Sequence, residues 1–192
     1  MIAVIKYNAG NIRSVQNAIT RLGYDSVITD DREEILKADK VILPGVGEAG
    51  TAMKYLRERN LDNLIISLKQ PVLGICLGLQ LMCRYSEEGD TVCMKIFDSD
   101  VKLFPKVDKV PHMGWNNFFS LKGDLFKGVK ARDDVYYVHS YYPEISSFTT
   151  AVCDYILPFS AAMRKNNFLA TQFHPEKSAG IGELILRNFL EL

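Results

Sequence analysis

Short apolar runs alternate with helical patterns through the first 85 residues, and no other feature constrains the fold of this chain as strongly. Four apolar runs have the length and composition of buried strands, at 2–6, 25–29, 40–44 and 71–75. Helices are predicted at 12–22, 31–37, 51–59, 64–69 and 79–85, with Asn11 as a cap and Gly23 as a stop for the first. Strands that alternate with helices form βαβ units, so we expect a three-layer α/β fold with a largely parallel central sheet flanked by helices.

The second half of the chain has a different pattern, in which strand-like runs follow one another with few helices between them. The runs are at 91–97, 134–142, 149–156, 160–165 and 168–174, and an amphipathic helix is predicted at 180–192. We therefore expect a mixed or antiparallel extension of the sheet in this half. No linker divides the 192 residues, so the prediction is a single domain over 1–192.

The charge balance and the cysteines argue against several classes of function. With 23 basic and 23 acidic residues the formal net charge is zero, so nothing favours nucleic acid or an anionic membrane as a partner. No apolar run approaches the ~18 residues of a membrane span, and the N-terminal sequence lacks the pattern of a signal peptide. The 4 cysteines form no CxxC pair and no metal-ligand spacing with the 3 histidines. We expect a cytoplasmic protein with reduced thiols, no metal and no cofactor.

The sequence Gly74-Ile75-Cys76-Leu77-Gly78 places a cysteine between two glycines, where a strand is predicted to turn into a helix. It is the thiol counterpart of the G-x-S-x-G nucleophile elbow, in which small neighbours leave room for a strained central residue. The N-terminus of the following helix would favour a thiolate, and the Leu77 N–H would be placed to donate to an oxyanion. The alternative is a buried structural cysteine in a glycine-rich turn.

A base for this cysteine is available in the sequence FHPEKS at 173–178. In an extended segment residues i and i+2 face the same way, so the Glu176 carboxylate could meet one ring nitrogen of His174 and leave the other for Cys76. Pro175 restricts the backbone between them. Taken alone, H-P-E is better explained by a surface turn. Together with the cysteine turn, each at a strand end, it predicts a Cys-His-Glu triad.

Loops that follow parallel strands meet at one edge of the sheet, which is where sites form in such folds. The loops concerned are at 7–11 and 44–50, the cysteine turn, and 174–178. Gln80 lies four residues after Cys76 and would face the same side, either to bind a polar substrate or as a structural cap. The glycines of 44–50 suit a loop of backbone donors or simply a flexible loop. The other three cysteines are expected in the core, at Cys83, Cys93 and Cys153.

Taken together, these motifs resemble a known family over essentially the whole chain. GICLGLQ, LPGVG and FHPEKS are similar to the triad class of glutamine amidotransferases. KVPHMGWN at 109–116, YYVHSYY at 136–142 and YNAGN at 7–11 narrow the resemblance to the glutaminase subunits of imidazole glycerol phosphate synthase. The resemblance implies the flavodoxin-like fold of class I glutamine amidotransferases.

The resemblance also implies a role for each residue of the predicted site. Cys76 would be the nucleophile, His174 the acid and base, and Glu176 the residue that orients the histidine. The N–H groups of Leu77 and Val46 would form the oxyanion hole. Contacts to L-glutamine are implied for Gly47, Gln80, Glu88, His139, Ser140 and Tyr141, and a partner interface for Asn11, His112, Met113, Trp115 and Lys177. The sequence departs from the family at Lys6, where an acidic residue is common.

By the same resemblance, the chain hydrolyses L-glutamine to glutamate and ammonia through a thioester. The ammonia would pass to a cyclase subunit, a (β/α)8 barrel that forms a heterodimer with the chain. The cyclase would use it to make imidazole glycerol phosphate and aminoimidazole carboxamide ribonucleotide (AICAR), in histidine biosynthesis.

Three alternatives to this function stay open. One is the glutaminase subunit of another synthase, such as the pyridoxal phosphate or anthranilate enzyme. Another is a binding scaffold without chemistry, against which the intact Cys, His and Glu argue. The last is a cysteine peptidase, which gives no role to 109–116 or 136–142.

Overall fold

Parallel strands form the centre of the fold, as the first half of the sequence predicts. The structure, a computed structural model, describes residues 1–7 and 10–192, so Asn8 and Ala9 of the first-loop motif lie outside the described residues. The strands of the described part are β1 (Ile2–Ile5), β2 (Ser26–Thr29), β3 (Lys40–Leu43), β4 (Val72–Ile75), β5 (Tyr85–Ser86), β6 (Thr91–Val92), β7 (Asp100–Leu103), β8 (His112–Asn116), β9 (Ser120–Leu121), β10 (Val135–His139), β11 (Tyr141–Pro143), β12 (Thr149–Tyr155), β13 (Leu157–Lys165) and β14 (Phe168–Thr171).

Among these strands, eight form the main sheet in the order β2-β1-β3-β4-β14-β13-β12-β9. The first five run parallel, and the last three add to β14 in antiparallel fashion. The prediction of a parallel sheet with an antiparallel extension is therefore confirmed. The last strand of the chain, β14, lies beside β4, which brings the cysteine turn and the H-P-E segment to the same edge of the sheet.

Helices cover both faces of this sheet and complete the three layers. In the described residues they are α1 (Ile12–Arg21), α2 (Arg32–Lys37), α3 (Ala49–Glu58), α4 (Leu61–Ser67), α5 (Leu77–Met82) and α6 (Ala179–Leu190). Gly23 ends α1 as predicted, with φ at +86° and its N–H bonded to the Thr20 carbonyl. None of the helices in the described ranges is long and apolar enough to cross a membrane.

The second half departs from the predicted strands in two places. The run at 91–97 pairs only at Thr91–Val92. The run at 134–142 is interrupted at Ser140, so that β10 pairs with β8 while β11 joins a small sheet in the order β11-β7-β5-β6. The sequence did not predict β5, β7, β8 or β9, because these strands are short and partly exposed and their apolar residues do not alternate over a useful length.

The core consists of two apolar clusters on opposite faces of the main sheet. In β1, Ala3 and Ile5 belong to the cluster under α2 to α5, while Ile2 and Val4 belong to the cluster under α1 and α6. This division follows from the pleat, because successive side chains of a strand point to opposite faces. A strand buried on both faces has a continuous apolar sequence, which is why IAVI was recognisable as a strand.

Helix α5 packs against β3 with no side chain between them, and this contact generates a prediction. A Cβ added to Gly78 would overlap the Leu43 carbonyl oxygen. We expect Gly78→Ala to destabilise the protein by about 1–3 kcal/mol, because α5 must move away from the sheet. Gly180→Ala is the matched control, since a Cβ there meets no atom within 4 Å and should be neutral or slightly stabilising. Thermal unfolding of both variants is the measurement, and equal melting temperatures would contradict the packing argument.

Candidate active site

Cys76 occupies the strained turn that the sequence predicts. It lies between the end of β4 and the first residue of α5, with φ at 52° and ψ at −105°, a conformation that costs free energy for any residue except glycine. The flanking glycines let the helix approach the strand, because a Cβ on Gly74 would lie 2.9 Å from the Gly78 carbonyl carbon. The predicted elbow is thus present, and the glycines serve close backbone packing.

His174 and Glu176 form a buried pair next to this turn. The His174 Nδ1 atom lies 2.8 Å from Glu176 Oε1, and both side chains are fully buried. The contact was predicted from an extended segment, and that geometric reason was wrong. A 3-10 turn at Pro175–Lys177 folds the carboxylate back onto the ring instead. Ser178 Oγ holds the turn by donating to the His174 carbonyl oxygen at 2.6 Å.

The second ring nitrogen of His174 is left for Cys76. Among the described residues, His174 Nε2 has no conventional hydrogen-bond partner. Burial alone would lower the pKa of His174, but the Cys76 thiolate and the Glu176 carboxylate together raise this pKa to about 10. A proton on His174 is therefore stabilised by its two acidic neighbours.

Asn11 precedes α1 at the predicted cap position, but its side chain makes no cap hydrogen bond. Its amide nitrogen instead donates to Glu176 Oε1 at 2.7 Å, and the residue is buried. Asn11 is thus the N-cap residue as predicted, but its side chain serves the carboxylate instead of the helix, because a buried carboxylate without donors is costly. Asn11 therefore supports the carboxylate that holds His174.

A pocket of about 300 Å³ opens in front of Cys76. Every residue that the sequence analysis assigned to the oxyanion hole or to glutamine lines it, and two that it did not assign, Pro111 and Val138, complete its wall. The assigned lining residues are Val46, Gly47, Leu77, Gln80, Glu88, His139, Ser140 and Tyr141. The size suits an amino acid rather than a macromolecule.

Glu88 gives this pocket a negative group. Burial raises the pKa of Glu88, and the nearby Glu48 carboxylate raises this pKa further. The Ala49 N–H, which donates to Glu88 Oε2 at 2.9 Å, lowers the pKa and so opposes both effects. Because the Ala49 N–H belongs to the first turn of α3, the carboxylate also lies at a helix N-terminus, where negative charge is stabilised. A half-buried carboxylate of this kind is suited to pair with an ammonium group.

The two predicted oxyanion donors are not aligned in this structure. The Leu77 N–H donates to the Gly45 carbonyl oxygen at 3.4 Å. In a trans peptide the C=O and the N–H point in opposite directions, so the Val46 N–H is directed away from the Leu77 N–H. The next carbonyl, that of Val46, accepts from the Gly10 N–H at 3.4 Å. One donor is therefore occupied and the other is turned away.

Sequence reasoning missed Gln172, which contacts Cys76. Its Nε2 donates to Cys76 Sγ at 3.5 Å, and its Oε1 accepts from Gln80 Nε2 at 3.1 Å. Gln80 was predicted to face Cys76, and its other bond, to the Tyr141 carbonyl at 3.0 Å, places it in the pocket wall. The signal for Gln172 was its position two residues before His174 at the end of a strand, since such residues share a face.

The predicted interface residues separate into an exposed set and a buried set. Met113 and Trp115 are about half exposed on β8, and Lys177 extends over the ring of Tyr136, against which Trp115 also packs. His112 lies beneath this surface, stacked on Tyr155, and Asn11 is buried as well. At Lys6 the sequence departs from the family pattern, and the Nζ atom of this residue lies 3.9 Å from Asp30 Oδ1.

Comparisons with known proteins agree on one family. The model of class-I glutamine amidotransferases matches residues 3–192. "Imidazole glycerol phosphate synthase subunit HisH" of Bacteroides fragilis is 62% identical over 100% of this chain and 99% of its own length. The protein of the same name from Vibrio parahaemolyticus is 43% identical over 100% and 98%. The crystal structure of a glutamine amidotransferase from Thermotoga maritima, 17% identical over 99% of this chain and 82% of its own, shows a similar fold with a TM-score of 0.62.

The environments of the four cysteines predict that one reacts selectively. Burial raises the pKa of Cys93 and of Cys153 to about 12, and that of Cys83 well above its ordinary value. These thiols are almost entirely protonated at neutral pH, and the protonated form is not nucleophilic. Cys76 borders the pocket and is the one cysteine that interacts with His174 among the described residues, and a proton shared between the two favours the thiolate form. Limiting iodoacetamide on the folded protein should label Cys76 first by mass spectrometry. Faster labelling of Cys83 or Cys153 would contradict the site.

Proposed function

The chain belongs to the class-I glutamine amidotransferase family, and on that premise we propose that it is the glutaminase subunit of an imidazole glycerol phosphate synthase. The observation that carries the proposal is the buried Cys76, His174 and Glu176 constellation at the mouth of a pocket sized for an amino acid. Relatives of 62% and 59% identity over the full chain bear the name of this subunit. The reaction is hydrolysis of L-glutamine to L-glutamate and ammonia.

The first half-reaction forms a thioester and releases ammonia. The Cys76 thiolate attacks the side-chain carboxamide carbon of glutamine, and the C–S bond forms as the carbonyl electrons move to oxygen. His174 gives the proton on Nε2 to the departing nitrogen, the C–N bond breaks, and ammonia leaves. Glu176, held by Asn11, keeps Nδ1 protonated and stabilises the imidazolium before the transfer.

The second half-reaction hydrolyses the thioester. His174, now neutral, takes a proton from water through Nε2 as the water oxygen attacks the thioester carbon. The C–S bond breaks, glutamate leaves, and the thiolate–imidazolium pair is restored. No group outside the described triad and water is needed to balance either step.

Recognition of glutamine is assigned to the pocket wall. Glu88 is suited to pair with the α-ammonium group, since its carboxylate is half-buried in an otherwise uncharged wall. The Gln80 Nε2 hydrogens are both committed, to Tyr141 and Gln172, so its Oε1 is the group that remains for the substrate amide. The backbone at 139–141 and Gly47 line the remaining sides.

The ammonia must be used by a second protein. The relative of 62% identity is named a subunit of the synthase, so we assign the use of ammonia to a separate cyclase chain that forms a heterodimer with this one. We assign the interface to the surface formed by Met113, Trp115 and Lys177, which combines exposed apolar groups with a cation, as protein interfaces do. The proposed compartment is the cytoplasm, with which the four free cysteines agree.

Substitutions in the triad test the chemistry. Cys76→Ala should bind glutamine and release no glutamate, because no thioester can form. Glu176→Gln should retain a small rate, reduced by at least about 10²-fold, because the nucleophile and base remain while orientation is lost. Glu183→Gln, on the exposed face of α6, is the matched control and should be fully active. Glutamate release in the presence of the cyclase is the measurement. Normal turnover by Cys76→Ala would refute the assignment.

The misaligned oxyanion donors predict that the isolated chain hydrolyses glutamine very slowly. Rotation of the Gly45–Val46 peptide would free the Leu77 N–H and bring the Val46 N–H toward it, and a missing donor typically costs ~10²–10³ in rate. The cyclase with its nucleotide ligand should therefore raise glutamine turnover by at least that factor. Comparable turnover with and without the loaded cyclase would contradict this switch.

The identity of the second donor can be tested directly at Val46. Proline has no N–H, so Val46→Pro should form the complex yet remain uninduced. Val46→Ala keeps the N–H and is the matched control, which should be induced as the natural protein is. Substitution of Gly45 is less informative, because a Cβ there would lie 2.5 Å from Tyr7 Oη and 2.7 Å from Leu77 Cβ.

A further inference from the structure

Buried polar side chains join strand β8 to the nucleophile through the carbonyl oxygen of Tyr141. This oxygen accepts one hydrogen bond from His139 Nδ1 at 2.8 Å and one from Gln80 Nε2 at 3.0 Å. We propose that these bonds form one network that converges on the Tyr141 carbonyl, from Asn116, His112 and His139 on one side and from Gln80 on the other, and that the orientation of Gln80 makes Gln172 the positioning residue that presents an N–H to Cys76. The inference rests on the proposed function only in taking Cys76 as the nucleophile.

The histidine half of the network has a single consistent set of tautomers. The Tyr141 carbonyl can only accept, so His139 Nδ1 carries the hydrogen, and in a neutral ring Nε2 is then an acceptor. That nitrogen lies 3.1 Å from His112 Nδ1, which must donate to it. His112 Nε2 is consequently an acceptor, and the Asn116 amide nitrogen lies 3.3 Å away as its donor. Every N–H in this half points toward Tyr141.

The neutral state that this argument needs follows from burial. Both rings are almost fully buried, at 4% exposure for His112 and 6% for His139. Burial lowers the pKa of His112 to about 4. Burial, with a smaller contribution from the neighbouring histidines, lowers that of His139 to about 3 against the opposing effect of the bond to Tyr141. His112 is further held between Tyr137 and Tyr155, with ring centroids 4.8 Å and 3.9 Å away.

The glutamine half continues from the same carbonyl with the amides held in one orientation. Because the Tyr141 oxygen accepts, the nitrogen of Gln80 must face it, and the second hydrogen of that nitrogen meets Gln172 Oε1 at 3.1 Å. The oxygen of Gln172 is thereby committed, and its nitrogen faces Cys76 Sγ at 3.5 Å. Rotating either amide by 180° would set oxygen against oxygen or nitrogen against nitrogen. The network thus fixes a donor, rather than an acceptor, on the sulfur.

A donor at this position stabilises the thiolate and restrains its direction. Hydrogen bonds to ionised groups are stronger than those between neutral groups, and a donor favours the charged form of its acceptor. The titratable groups that face Cys76 from other elements are His174, after β14, and Tyr7, after β1. Burial, with the Cys76 charge adding to it, raises the pKa of Tyr7, so this phenol stays neutral and changes no charge near the sulfur. Glu88 and His139 line the same pocket.

The test is the pH profile of Cys76 alkylation, measured with limiting iodoacetamide and mass spectrometry on the chain alone. Gln172→Met keeps the volume and removes the donor, so the midpoint of the profile should rise by about one to two pH units, which is ~10–100-fold slower labelling below both midpoints. The matched control is Gln70→Met, at the other end of β4, where the amide donates to the Ile35 carbonyl. Its profile should equal that of the natural chain. An unchanged profile in Gln172→Met would overturn the proposal.

Breaking the network at its distant end tests the convergence of its bonds. His112→Phe keeps the aromatic stack but gives His139 Nε2 no donor. Because the Tyr141 carbonyl still accepts from Gln80, the Cys76 labelling profile should stay as in the natural chain, and a profile shifted as far as that of Gln172→Met would overturn the convergent arrangement. Nitrogen-15 spectra of the natural protein should show the hydrogen on Nδ1 of both rings, and a hydrogen on His139 Nε2 would overturn the network without any variant. None of these readouts uses glutamine or a cyclase. A shifted alkylation profile in a protein that shows no glutaminase activity even with the loaded cyclase would therefore support the hydrogen-bond network and refute the proposed function.

Discussion

The close approach of α5 to β3 and β4 is the contact on which the geometry of the site depends. Gly74 and Gly78 present no side chains to each other or to the Leu43 carbonyl. Only Cys76 therefore separates the end of β4 from the first residue of α5. The same approach forces the φ of 52° at Cys76 and brings the Leu77 N–H against the loop that follows β3. The proposed nucleophile, one proposed oxyanion donor and the loop that carries the other are thus positioned by a single backbone contact.

The buried carboxylate of Glu176 is stabilised by groups outside the proposed triad as well as by His174. An unpaired carboxylate in the interior would cost several kcal/mol, and Glu176 is paired with His174 and receives a further hydrogen bond from Asn11. The 3-10 turn that holds the pair is fixed by Ser178, whose hydroxyl donates to the His174 carbonyl and accepts from the Tyr136 N–H. Strand β10 therefore fixes the acid–base pair from one side while its last residue, His139, lines the pocket.

Sequence reasoning recovered the parts of the structure that local chemistry decides. The doubly buried strands were visible as continuous apolar runs, and the elbow was visible because its glycines and cysteine are adjacent in sequence. The break at Ser140 was not visible, since the apolar pattern continues across a change of sheet. The His112–His139 bond and the Gln172–Cys76 bond join residues 27 and 96 positions apart, and no periodicity encodes such pairs. The bond of the Asn11 side chain to Glu176 was missed for the same reason, because the two residues are 165 positions apart.

The resting arrangement of the oxyanion loop is held weakly enough for a partner to change it. Its bond from the Leu77 N–H to the Gly45 carbonyl is 3.4 Å long, at the weak end of hydrogen bonds, and such a bond contributes at most about 1 kcal/mol net. Each ~1.4 kcal/mol by which a bound protein prefers the rotated peptide changes the ratio of the two forms tenfold. A small part of the binding free energy of an ordinary protein interface is therefore sufficient to make the rotated peptide the major form. The strained Cys76 turn and the hydrogen-bonded side chains behind it need not move, so the change can be confined to the Gly45–Val46 peptide, which Gly47 follows.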